Sequence, residues 1–129
     1  MARILVVDDD AAVRDSIQTL LELDGHEVLE AGDGNQGEAA VRKRPPDLVV
    51  LDIFMPERDG FETLRSLRRT HPHLKILAIS GSAGGQLERT LAFAQEFGAD
   101  EVLHKPFPAD ALRRIVRELL EPGAQSERA

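Results

Sequence analysis

The sequence contains no cysteine, which excludes disulfides, thiolate metal sites and thiol nucleophiles together. Trp and Tyr are also absent, and five Phe are the whole aromatic content. The core must therefore come from Val, Ile, Leu and Ala. No apolar run approaches the roughly 20 residues needed to cross a bilayer. Basic residues are outnumbered, with 16 Lys and Arg against 23 Asp and Glu, and the net charge of −7 speaks against general affinity for nucleic acid. At the N-terminus, Ile4 to Val7 is too short an apolar run for a signal peptide and ends in three aspartates. These absences predict a cytoplasmic protein with neither a membrane nor a nucleic-acid partner. Its 129 residues suffice for one domain with a real core.

Short apolar runs alternate with helical patterns. The strand candidates are Arg3 to Val7, Glu27 to Ala31, Asp47 to Leu51, Lys75 to Ile79 and Glu101 to His104. Runs such as Ile4-Leu5-Val6-Val7 and Leu48-Val49-Val50-Leu51 do not alternate with polar residues, as expected of parallel strands buried on both faces. Between them, Val13, Ile17, Leu20 and Leu21 form a helical stripe that Asp10 can cap. Phe61, Leu64 and Leu67 form another, and Leu87, Leu91 and Ala94 a third. Leu112, Ile115, Val116, Leu119 and Leu120 line the last helix, with Pro108 and Asp110 at its start and Pro122-Gly123 as its stop. A helix near Gln36 to Lys43 has the weakest pattern. Five strand–helix repeats predict a doubly wound, five-stranded parallel α/β sheet, in which functional groups gather just after the strand ends at the point where strand order reverses.

Those positions carry chemistry. The first strand runs into Asp8-Asp9-Asp10, the third into Asp52, the fourth into Ser80-Gly81 and the fifth into Lys105-Pro106. Each alone reads as a cap or turn residue. Converging at one sheet edge, they offer several carboxylates, a hydroxyl and an ammonium. Packed carboxylates repel unless a cation is present, and such a set suits Mg²⁺, which takes few protein oxygens and keeps waters. A metal and Lys105 would neutralise phosphoryl oxygens while a carboxylate attacks phosphorus, with Asp52 the nucleophile.

The runs Ile4 to Asp10, Asp47 to Pro56, Asp59-Gly60, Ile76 to Gly81 and Lys105-Pro106-Phe107 together resemble the receiver domain family of two-component signalling. The resemblance covers essentially the whole chain. It implies the flavodoxin-like (βα)5 receiver fold over 1–121; the polar tail over 122–129 is read either as the end of a stand-alone receiver that signals by docking or as the point where a longer protein was cut. The resemblance also implies that Asp52 accepts a phosphoryl group from a histidine kinase or phosphotransfer protein. Asp9, Asp52 and the backbone carbonyl of Phe54 would bind Mg²⁺, with Asp8 acting largely through water. Lys105 would pair with the phosphoryl group, Ser80 would swing in to hydrogen-bond it, and the Lys105–Pro106 bond would be cis. The face of the fourth helix, fifth strand and fifth helix would dock a downstream protein target.

Two positions depart from the family pattern. Val102 stands where relatives place an inward-turning aromatic, and Phe54 where many carry a polar residue. Val102 is too short and stiff to copy an aromatic swing, so activation would be read through the glycine-rich loop Gly81 to Gly85. Three rival readings remain. Gly32-Asp33-Gly34-Asn35-Gln36-Gly37 has the letters of a dinucleotide fingerprint, but after the second strand rather than the first. Asp8-Asp9-Asp10 contains the Asp-x-Asp of an aspartate-based phosphatase. A receiver-like interaction module without phosphorylation is the third.

Overall fold

The apolar runs and helical stripes assemble in chain order as β1 (Arg3–Val7), α1 (Ala11–Leu23), β2 (Glu27–Ala31), α2 (Gly34–Lys43), β3 (Leu48–Asp52), α3 (Gly60–Thr70), β4 (Lys75–Ser80), α4 (Leu87–Glu96), β5 (Glu101–His104) and α5 (Ala109–Leu120). The structure is a computed structural model that describes residues 2–53, 60–81 and 87–121, with the side chains of 87–91 excepted. The expected stop at Pro122-Gly123 and the residues Phe54, Asp59 and Ser82 to Gly85 lie outside the described residues.

All strands are parallel, in the order β2-β1-β3-β4-β5. Order reverses at β1, which pairs with β2 on one side and β3 on the other, so the crevice falls between the ends of β1 and β3. Successive strand residues point to opposite faces, which splits the core in two. Leu5, Val7, Val49, Leu51, Ile76 and Ala78 pack with Val41 of α2, Leu64 and Leu67 of α3 and Ala94 of α4. Ile4, Val6, Leu48, Val50, Leu77 and Ile79 pack with Ile17 and Leu21 of α1 and Leu112, Ile115 and Val116 of α5. Both faces are covered, which is why the strand sequences do not alternate.

Two strands end later than the sequence pattern predicts. β3 begins at Leu48 and takes in Asp52, and β4 takes in Ser80. Pairing with neighbours extends them: Asp52 registers with Ile79, the Ile53 amide donates to the Ile79 carbonyl at 3.0 Å, and the Lys105 amide donates to the Ser80 carbonyl at 2.7 Å. Side-chain polarity, the signal read from sequence, does not weaken a backbone ladder. Helix α2 starts at Gly34, two residues earlier than expected, because Asp33 caps it by accepting from the Gln36 amide at 2.8 Å. Of the fingerprint glycines, Gly37 does packing work. An added Cβ at Gly37 would lie 2.9 Å from Val7 Cγ2, so this glycine lets α2 lie close on β1.

Candidate functional site

The ladder carries four chemically active side chains to one edge of the sheet. Asp8 follows β1, Asp52 ends β3, Ser80 ends β4 and Lys105 follows β5. Asp8, Asp52 and Ser80 are buried, at 1%, 4% and 0% exposure, whereas Asp9 is exposed. Buried carboxylates need partners, and here a single ammonium supplies one. Lys105 Nζ donates to Asp8 Oδ2 at 2.9 Å and to Asp52 Oδ2 at 3.3 Å. Burial alone would push the Lys105 pKa down, but the hydrogen bond to Asp8 and the charges of Asp52 and Asp8 outweigh it, and the net direction is upward. Lys105 is thus a fixed cation through the neutral range. Its aim is set by Gly81, where an added Cβ would lie 3.2 Å from Lys105 Cδ. The Lys105–Pro106 bond is cis, as expected.

Asp8 is anchored at every polar atom. Its amide donates to the Ala31 carbonyl at 3.1 Å, Oδ1 accepts from the Asp10 amide at 2.9 Å, Oδ2 takes Lys105, and its carbonyl accepts from Arg14 Nη1. Asp10 stands apart from the site and caps α1, accepting from the Ala12 amide at 2.9 Å and the Val13 amide at 3.4 Å.

Carboxylate oxygens of Asp8, Asp9 and Asp52 lie within 4.8 Å of one another. Oxygens bound directly to one Mg²⁺ stand about 3 Å apart when adjacent and about 4 Å when opposite. The donor set, all hard oxygen and within one ion's reach, fits that ion. Asp9 and Asp52 would hold it with Asp8 through water. The expected third direct ligand, the Phe54 carbonyl, lies outside the described residues.

Two residues shape this edge in ways that sequence reasoning did not assign. Gly60 opens α3 so close to the end of β3 that an added Cβ would stand 2.2 Å from Ile53 Cα and 2.7 Å from the Asp52 carbonyl oxygen. In the sequence Gly60 entered as part of the Asp59-Gly60 run of the family resemblance, without a packing role. Arg14 is the other, and nothing local marks it, because its partners lie on other elements. The Val102 side chain is half-buried and packs with the face that carries α2, α3 and α4. Of the histidines, His73 is exposed, while His26, His71 and His104 are half-buried. Among the described residues no histidine joins a metal-competent cluster, and no helix is long and apolar enough to cross a membrane.

Comparison with known proteins gives the same reading. The family model "Response regulator receiver domain" matches residues 4–117. Response regulator MprA of a Mycobacterium species is 40% identical over 125 residues, which are 97% of this chain and 53% of that protein. The "DNA-binding dual master transcriptional regulator RpaA" of Synechocystis is 38% identical over 120 residues, 93% of this chain and 49% of that one. The chain therefore spans about half the length of these curated relatives. Among solved structures, the receiver domain of NtrX from Brucella abortus superposes with a TM-score of 0.85 at 38% identity, covering 92% of this chain and 98% of that one. The chemotaxis protein CheY4 of Vibrio cholerae gives 0.81 at 28% identity, covering 93% and 99%. With its flavodoxin-like sheet and its acidic edge, this chain belongs to the response-regulator receiver domain family of two-component signalling.

Proposed function

We propose that the chain is a phosphorylation switch whose acceptor is Asp52, loaded in a Mg²⁺-dependent reaction from a phosphohistidine of a histidine kinase or phosphotransfer protein. The observation that carries this reading is the Lys105 ammonium lodged between the buried carboxylates of Asp8 and Asp52, beside the Asp8–Asp9–Asp52 oxygen cluster. A carboxylate of Asp52 attacks phosphorus, the new O–P bond forms as the N–P bond breaks, and the imidazole leaves with a proton. Lys105 neutralises phosphoryl oxygen charge from a position it already holds. Mg²⁺, when bound, supplies the remaining positive charge that such a transfer needs. Ser80, buried at the end of the neighbouring strand, would supply a hydroxyl to the phosphoryl group. The same site would hydrolyse its own acyl phosphate, one turnover per loading, and the chain would signal from the cytoplasm through a protein target on the α4-β5-α5 face.

The net charge of −7 describes these 129 residues. One relative of twice the length is described as DNA-binding, so the expectation of no nucleic-acid partner is confined to residues 1–129. Residues 1–121 would form the switch and 122–129 a polar tail.

The test is intact mass after incubation with a small acyl-phosphate donor, with and without Mg²⁺, on the parent and on Asp52→Asn. The expected result is one added phosphoryl group that needs both the ion and Asp52. No adduct under any condition would favour a receiver-like module without phosphorylation, and many phosphates released per chain from a generic ester would favour a phosphatase.

A further inference from the structure

Arg14 lies four residues into α1 and reaches in two directions. Its Nε donates to Glu30 Oε1 of β2 at 3.1 Å, while Nη1 donates to the main-chain carbonyl of Asp8. Both side chains are substantially covered, at 19% and 31% exposure. Asp8 is otherwise held by Ala31, Asp10 and Lys105, so the Arg14 bond completes the anchoring of that residue. The carbonyl that Arg14 grips belongs to the peptide joining Asp8 to Asp9. Rotation of that peptide would swing the exposed Asp9 carboxylate away from Asp8 and Asp52.

We propose that Arg14 is a positioning residue which, aimed by Glu30, fixes the Asp8–Asp9 peptide and so sets the affinity of the acidic cluster for a divalent cation. The inference rests on the Mg²⁺ site described above. Two physical effects oppose each other here. The guanidinium is a positive charge near a cation site, which by itself weakens cation binding. That charge is offset by Glu30 at 3.1 Å, so its far field is small and the hydrogen-bond geometry dominates. A lysine would keep the charge but lose the planar fork that serves two acceptors at once. Residues that orient metal ligands in this way commonly change metal affinity by roughly 10-fold or more when replaced.

The experiment titrates Mg²⁺ by calorimetry, with amide chemical shifts as a check of fold, into the unphosphorylated parent, Arg14→Lys and Arg14→Ala. Positioning predicts that both variants bind Mg²⁺ on the order of 10-fold more weakly. It also predicts that the Mg²⁺ needed for half-maximal phosphorylation rises in step, with the rate at saturating Mg²⁺ within about twofold of the parent. A purely electrostatic role predicts an unchanged Arg14→Lys and a tighter-binding Arg14→Ala, in which Glu30 is unmasked, and would overturn the proposal. So would a rate lost equally at every Mg²⁺ concentration, which would mark Arg14 as merely structural. If the parent itself binds no Mg²⁺, the reading of the site fails first and the role of Arg14 with it. Arg14→Lys keeps charge and helix propensity, so it carries the test even if Arg14→Ala unfolds.

Discussion

At the residue scale, the acidic edge stores repulsion. Asp9 is exposed, and its carboxylate stands within 4.8 Å of those of Asp8 and Asp52. Lys105 bonds to the other two and not to Asp9 among the described residues. Two like charges about 5 Å apart repel by on the order of 1 kcal/mol even in bulk-water dielectric. Asp9→Asn should therefore raise the stability of the metal-free protein by about 1 kcal/mol, read as a higher urea midpoint at unchanged slope. The parent's stabilisation by Mg²⁺ should shrink in the same variant, because a ligand that binds only the folded state stabilises it in proportion to its affinity. A variant less stable than the parent without Mg²⁺ would mean that Asp9 holds the fold rather than the ion. Asp8, Asp52 and Ser80 were legible because each ends an apolar run at a strand end, whereas Asp9 and Lys105 gained meaning only from the convergence of the strand ends at one edge. Arg14 was not legible, since one of its acceptors is a main-chain carbonyl, which every residue offers equally.

At the scale of elements, the sheet and helices were largely legible, and the misses were at their ends. Asp52 and Ser80 read as loop residues because they are polar, yet their backbones stay in the ladder. Strand pairing is decided by the neighbour, which the local pattern does not contain. The close seating of α3 on β3 was hidden for the same reason. Gly60 is the only kind of residue that fits, with Ile53 Cα 2.2 Å from where a Cβ would stand. Gly60→Ala should cost about 1–3 kcal/mol by overpacking. Because backbone rather than a flexible side chain must yield, the end of β3 should shift, and Asp52 phosphorylation should slow in protein that remains folded. Gly32→Ala is the control: its nearest neighbour to an added Cβ is Gln36 Oε1 at 3.5 Å, an ordinary contact. Thermal melts and phosphorylation rates on the pair separate the two effects. Equal behaviour of the two variants would show that α3 is free to slide on β3.

On the scale of the whole molecule, stability and chemistry sit at opposite ends of the sheet. The chemistry gathers at the ends of β1, β3, β4 and β5. At the start of β4, by contrast, Arg68 of α3 donates to the carbonyls of Pro72 at 2.8 Å, Leu74 at 2.7 Å and Gly98 at 2.9 Å, and to Asp100 Oδ2 at 2.8 Å. The same Asp100 oxygen accepts from the Ile76 amide at 2.8 Å. One partly buried ion pair thus ties the end of α3, the start of β4 and the connection from α4 to β5. Deleting Arg68 removes the counter-charge of Asp100, which keeps the Ile76 amide, and because the pair is only partly buried the cost is about 1–3 kcal/mol rather than that of a fully buried pair. Arg68→Ala should lose about that much stability in urea, yet its folded fraction should accept a phosphoryl group at the parent's stoichiometry, since no strand-end residue of the acidic edge has moved. Asp100→Asn added to Arg68→Ala should recover part of the loss, because the charge that lost its guanidinium is then gone, and with the Asp100→Asn single variant the coupling between the two sites becomes measurable as a double-mutant cycle. If Arg68→Ala abolished phosphorylation while the protein stayed folded, the two ends of the sheet would have to be mechanically coupled, and β4, which joins Arg68's acceptors to Ser80, would be the element that couples them.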